Sequence, residues 1–167
     1  MSQTILLGED EPLQREMLSL LLRKKLGYKV ITAQHGREVL QRVQDSNISD
    51  INAVLLDLEM PEMNGFDAAR AIRNEGLSGE IVFLTMHRDE DLFNEAIDLG
   101  AKGFVLKDSA LTDIVDCIKA VASKNHFVSH ALTRFLIDRG RRAASLAESQ
   151  PTISDLTPTE RRLLSMI

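Results

Sequence analysis

The sequence predicts a doubly wound α/β domain: a five-stranded parallel sheet with helices on both faces, followed by a C-terminal helical extension. Three observations predict it. Short aliphatic runs alternate with longer amphipathic stretches five times over. Three of the short runs are near-continuously hydrophobic, as parallel strands covered on both faces must be. Acidic, hydroxyl and lysine residues close those runs, and open α/β sheets place their ligand sites outside the carboxyl ends of the strands.

The strands are expected at Thr4–Leu7, Lys29–Ala33, Asn52–Leu56, Glu80–Thr85 and Gly103–Leu106. The first helix, Pro12–Leu26, opens with proline at a first-turn position, where a missing N–H costs nothing, and puts Leu13, Met17, Leu20 and Leu21 on one side. Gly36–Gln44 follows with Val39, Leu40 and Val43, and Phe66–Asn74 with Ala69 and Ile72. Glu90–Leu99 carries Leu92, Phe93, Ala96, Ile97 and Leu99. Ala110–Ser123 carries Leu111, Ile114, Val115, Ile118 and Val121. The first domain is therefore expected to span residues 1–124.

Residues 125–155 read as an extra helix and a linker. Val128–Arg139 suits one more helix, and Gly140–Ser154 is small, polar and basic with a proline. The basic Arg139-Gly-Arg-Arg142 cluster within it is expected to be solvated. In residues 156–167, Thr157, Pro158 and Glu160 form a capping box at the head of another helix. That helix ends inside its apolar stripe, which predicts that this chain is a piece of a longer one.

At 167 residues and 44% apolar composition, one ordinary domain and a short extension can bury a core. A net charge of −5 argues against a domain whose main work is coating nucleic acid or an anionic membrane. The lone cysteine, Cys117, rules out an internal disulfide and is expected to pack as a small apolar residue. No apolar run approaches the roughly 18–20 residues of a membrane span. The N-terminus lacks the basic region of a signal peptide, so the cytoplasm is the expected location. His35, His87, His126 and His130 lack metal-ligand spacing and are expected to be structural, with His87 near the strand ends.

The strand ends carry the chemistry. Glu9 and Asp10 follow the first strand, Asp57 the third, Thr85 closes the fourth, and Lys107 follows the fifth. Clustered carboxylates repel one another unless a cation intervenes, and Mg²⁺ suits a few carboxylates with several waters. A carboxylate beside such an ion can attack phosphorus and become an aspartyl phosphate. The ion and Lys107 would neutralise the transferring phosphoryl oxygens, and Thr85 would donate a hydrogen bond to one of them.

The motifs ILLGEDE, AVLLDLEMPEMNGFD, IVFLTMH and GAKGFVLKD, in that order from about Thr4 to Ser123, resemble the receiver domain of bacterial two-component response regulators. The resemblance implies a flavodoxin-like sheet of strand order 2-1-3-4-5. It implies Asp57 as phospho-acceptor and Mg²⁺ (or Mn²⁺) held by Asp10, Asp57, the backbone carbonyl of Glu59 and, through water, Glu9. Thr85 and Lys107 match the family's catalytic hydroxyl and lysine, and Thr85 and Phe104 its switch pair. Pro61 and Gly65 would shape the loop after Asp57. LTPTERRLLSMI resembles the opening of a LuxR/NarL-type helix-turn-helix domain. The implied partners are a sensor histidine kinase, a second receiver on phosphorylation, and DNA reached only through the missing part of that C-terminal domain. No membrane partner is expected. Such a chain is a phospho-accepting switch with slow self-dephosphorylation, not a turnover enzyme. Three rivals compete with this reading. A phosphohydrolase would use Glu59 as general acid, a flavin module shares the fold, and an interaction module would work without phosphate.

Overall fold

The computed structural model of the chain describes residues 3–149. The expected elements form in order: β1 (Thr4–Gly8), α1 (Pro12–Leu26), β2 (Lys29–Ala33), α2 (Gly36–Asp45), β3 (Ile51–Asp57), α3 (Gly65–Asn74), β4 (Glu80–Thr85), α4 (Glu90–Asp98), β5 (Gly103–Leu106) and α5 (Ala110–Ala122). A short strand β6 (Phe127–Val128) and a helix α6 (Thr133–Ser149) complete them. All sheet pairings are parallel, in the order β2-β1-β3-β4-β5-β6.

Local sequence explains where the helices start. The Glu11 carboxylate accepts the Leu13 and Gln14 amides at 3.3 and 2.6 Å, capping α1 just ahead of Pro12. Asn64 caps α3 through the Asp67 amide at 2.9 Å, and Asp89 caps α4 through the Leu92 amide at 3.1 Å. α1 stops at Gly27, whose φ of 67° is a left-handed conformation that glycine adopts without a Cβ clash.

Successive strand residues point to opposite faces, so the sheet divides the core in two. One half joins Leu6, Val54, Leu56, Phe83 and Phe104 to side chains of α2, α3 and α4. The other joins Ile5, Leu7, Leu55, Val82, Leu84 and Val105 to α1 and α5. Cys117 lies in that second half, fully buried, where burial and nearby Asp113 push its thiol up to about 12.

The structure departs from expectation in three places. The sheet has a sixth strand, because Phe127 and Val128 pair with Gly103 and Phe104 along the outer edge of β5. The last described helix begins at Thr133 and runs through Gly140 to Ser149, where a linker was expected from Gly140. Packing explains this: Leu132, Arg139, Gly140 and Ala143 are all buried, a spacing that lays one stripe of the segment against the domain. That contact offsets the roughly 1 kcal/mol a mid-helix glycine costs. Finally, α1 buries Leu18 and Leu22, whereas Leu13, Met17 and Leu20 are exposed. The capping box expected at Thr157–Glu160 lies outside the described residues, as does the rest of the 156–167 segment.

Candidate phosphoryl-acceptor site

Parallel strands bring their carboxyl ends to one rim. β1 delivers Glu9 and Asp10 there, β3 delivers Asp57, and the turn after β5 delivers Lys107. Carboxylate oxygens of Glu9, Asp10 and Asp57 all lie within 4.8 Å of one another. Glu9 is fully buried and Asp57 is 2% exposed, with Asp10 the most open of the three. Lys107 Nζ stands 2.7 Å from Asp57 Oδ2 and 2.7 Å from Glu9 Oε1, and it donates to Glu9 Oε2 at 3.0 Å. Four side chains that are scattered through the sequence thus meet in one cluster.

The electrostatics follow from that geometry. Burial, then the hydrogen bond to Asp57, pushes the Glu9 carboxyl up to about 8, against the opposing pull of Lys107. Burial works against the Lys107 ammonium too, but its bonds to Asp57 and Glu9 outweigh it and hold the proton more firmly than in a free lysine. Glu9 and Asp57 therefore share one ammonium in a buried corner, with the Asp10 carboxylate at its open side. Hard oxygen donors with uncompensated negative charge fit a divalent cation such as Mg²⁺. The site can thus hold a cation and present one buried carboxylate oxygen beside it.

Asp57 is aimed by its surroundings. Its Oδ1 accepts the Glu59 amide at 3.0 Å, and the Leu58 amide continues the ladder to Leu84. Gly65 sits directly over this bend: a Cβ there would lie 2.5 Å from the Asp57 carbonyl oxygen. Its amide donates to Leu58 at 3.1 Å, closing the loop. The expected role of Gly65 therefore stands on close approach rather than on unusual dihedrals. Pro61 accepts the Met63 amide at 2.8 Å within the same loop, around Glu62 at φ 69°.

Thr85 is 1% exposed at the end of β4; Leu84 pairs with Asp57 and Thr85 pairs with Leu106. The sheet thus sets it between the acceptor strand and the lysine strand. Its hydroxyl accepts the His87 amide at 3.0 Å. Phe104 is fully buried on β5 and packs edge-on against Phe93 of α4, with centroids 5.4 Å apart. Phe93 in turn packs against Phe135 of α6 at 6.0 Å.

Two features at the rim were not foreseen. The His87 imidazole meets the Glu59 carboxylate, joining the loop after β3 to the loop after β4. Only the position of His87, two residues past Thr85, hinted at this. Arg15, one turn into α1, donates to the Glu9 carbonyl at 2.9 Å and fixes the acidic loop from behind. Nothing in the spacing of Arg15 from Glu9 marked it out. The Glu59 side chain is directed to His87, and the Glu59 amide rather than its carboxylate is what touches Asp57.

A parallel sheet ordered 2-1-3-4-5-6, with acids following its first strand and closing its third and a lysine after its fifth, has the architecture of a receiver domain. Sequence comparison agrees: the response regulator receiver domain matches residues 5–119, and the chain belongs to that family. Within it the chain is of the NarL/LuxR type. It is 32% identical over 164 residues to the nitrate/nitrite response regulator protein NarL of Escherichia coli strain K12, across 98% of this chain and 74% of that one. A LuxR-family two-component response regulator from Aurantimonas sp. SI85-9A1 superposes with a TM-score of 0.74 at 26% identity, covering 83% of this chain and 97% of that chain. The receiver domain of NarL from Mycobacterium tuberculosis superposes at 0.66 with 29% identity, covering 73% and 97%. Among the described residues, no helix is long and apolar enough to cross a membrane.

Proposed function

We propose that this chain accepts a phosphoryl group on Asp57 from the phosphohistidine of a sensor kinase in the cytoplasm, and that this switches an attached DNA-binding output. The observation that carries the reading is the buried Asp57 carboxylate, with Lys107 Nζ at 2.7 Å and two further acids beside it. A structural ion pair needs one acid for its base, whereas here a single ammonium serves two buried carboxyl groups with a third carboxylate beside them.

Asp10, Asp57 and the Glu59 carbonyl would hold Mg²⁺ directly, with Glu9 through water. The ion supplies a positive charge for the phosphoryl oxygens. An Asp57 oxygen attacks phosphorus in line, the P–N bond to the donor histidine breaks, and that nitrogen keeps the electron pair and takes a proton from solvent. Lys107 neutralises one phosphoryl oxygen, and the Thr85 hydroxyl turns from the His87 amide to donate to another. Phe104 then moves into the volume Thr85 leaves, which alters its contact with Phe93. Receiver pairing and contact with DNA through a C-terminal helix-turn-helix follow. The chain is consumed and reset as a switch, with only slow self-dephosphorylation.

Incubation with acetyl phosphate tests this. The intact protein gains the mass of one phosphoryl group in Mg²⁺, and gains none in EDTA or as Asp57→Ala. Continuous phosphate release that needs the Glu59 carboxylate would favour a phosphohydrolase instead.

A further inference from the structure

β5 carries Phe104 and ends one residue before Lys107, so whatever fixes its outer edge also fixes the base of that lysine. β6 covers this edge but is only two residues long. The Phe127 amide donates to the Lys102 carbonyl at 2.9 Å, and the Ser129 amide to the Phe104 carbonyl at 3.1 Å. The next β5 amide on the edge belongs to Leu106. The chain turns away at Ser129 into a 3₁₀ turn, His130–Leu132, so no further β6 carbonyl takes it. The Ser129 hydroxyl accepts it instead, at 3.0 Å, and Ser129 is itself only 1% exposed.

A hydroxyl has one hydrogen. Ser129 gives it to Asp113 Oδ2 at 2.9 Å, which leaves the oxygen lone pairs facing Leu106. The Ser109 hydroxyl donates to the same Asp113 oxygen at 2.8 Å. Ser109 closes the 3₁₀ turn Lys107–Ser109, whose first carbonyl accepts the Ala110 amide. Asp113 thus grips both flanks of Lys107: Leu106 through Ser129, and Ser109 directly. The Lys107 side chain is only 12% exposed, so its packed stem ties the ammonium to the backbone that launches it.

We infer that Asp113 and Ser129 are positioning residues for Lys107, holding its ammonium at the distance from Asp57 that phosphoryl transfer needs. This rests on the phosphoryl-acceptor reading above. A displacement of about 1 Å in such a group costs up to 10²-fold in rate, so the loss of one anchor is expected to show as about tenfold.

The test uses the full chain as wild type, Ser129→Ala, Lys107→Ala and the double variant, at a temperature where circular dichroism shows all four folded. Mg²⁺ affinity, beryllofluoride affinity in saturating Mg²⁺, and the initial rate of phosphorylation by acetyl phosphate are measured. Ser129→Ala lowers beryllofluoride affinity and the phosphorylation rate about tenfold, leaves Mg²⁺ affinity within about twofold, and adds nothing once Lys107 is already alanine. Equal losses for Mg²⁺ and beryllofluoride, an undiminished Ser129→Ala effect in the Lys107→Ala background, or no effect at all would overturn the inference. Should Ser129→Ala fail to fold, Asp113→Ala replaces it in the same cycle with the same outcomes. Failure of the wild type itself to take up beryllofluoride or phosphoryl sinks the phosphoryl-acceptor reading, which separates the two failures.

Discussion

Glu9 stores the tension of the site. Its carboxyl, pushed up to about 8 by burial and by Asp57, keeps in the folded state a proton that the unfolded chain releases near the ordinary value of 4.5. The folded protein therefore binds more protons between those two values, and without a cation its stability falls as pH rises from about 4.5 towards about 8. Urea denaturation in EDTA should show a loss on the order of 2–4 kcal/mol across that window, beyond the change seen in Glu9→Gln. Added Mg²⁺ should restore most of it at the alkaline end, because cation binding takes the place of the proton. Lys107 has the complementary role. Lys107→Ala leaves Glu9 and Asp57 buried without their ammonium, so it should cost about 3–5 kcal/mol at pH 8 in EDTA and much less in saturating Mg²⁺. A cost that is the same with and without Mg²⁺ would mean that the ammonium and the ion do not share a site.

At the scale of elements, the loop from Asp57 to α3 is set by Gly65. Gly65→Ala puts a methyl group 2.5 Å from the Asp57 carbonyl oxygen and 2.9 Å from the Leu58 Cα, both backbone atoms that cannot rotate away. It should cost about 1–3 kcal/mol in urea denaturation, and slow phosphoryl uptake because the acceptor shifts with its backbone. Pro12 marked the start of α1 in the sequence, whereas the stop at Gly27 and the caps Asn64 and Asp89 that open α3 and α4 emerge from the structure. The apolar side of α1 was not legible in the sequence. Leu13, Met17 and Leu20 share one side with ideal helical spacing, yet Leu18 and Leu22 face the sheet. Periodicity says that a helix has an apolar side but cannot choose between two such sides; contact with β1 and α5 makes that choice. β6 escaped notice because two residues carry no period at all.

Across the whole molecule, the site was legible because each of its residues ends a strand, and a parallel sheet leaves those ends only one rim on which to meet. The supports were not legible. Ser129, Asp113 and Arg15 act through backbone atoms of Leu106 and Glu9, and such contacts leave no pattern in sequence. The sequence announced a helix over Val128–Arg139, but a basic stretch with a glycine hid how far α6 continues, and α4 holds that helix in place. Arg139 bonds Asn94 at 3.0 Å and Asp98 at 2.5 Å, Arg142 meets Glu90, and Phe135 packs on Phe93. Phe135→Ala should cost about 1–2 kcal/mol. By hydrogen exchange it should expose the α6 amides while leaving those of β1 and β3 protected. Borohydride reduction after treatment with acetyl phosphate and Mg²⁺, followed by peptide mass spectrometry, identifies the phosphoryl acceptor directly. Reduction of an acyl phosphate converts its aspartate to homoserine, and phosphorylation of this site should give that conversion at Asp57 alone. Homoserine at Asp10, or at no aspartate while phosphate is nevertheless released, would contradict it.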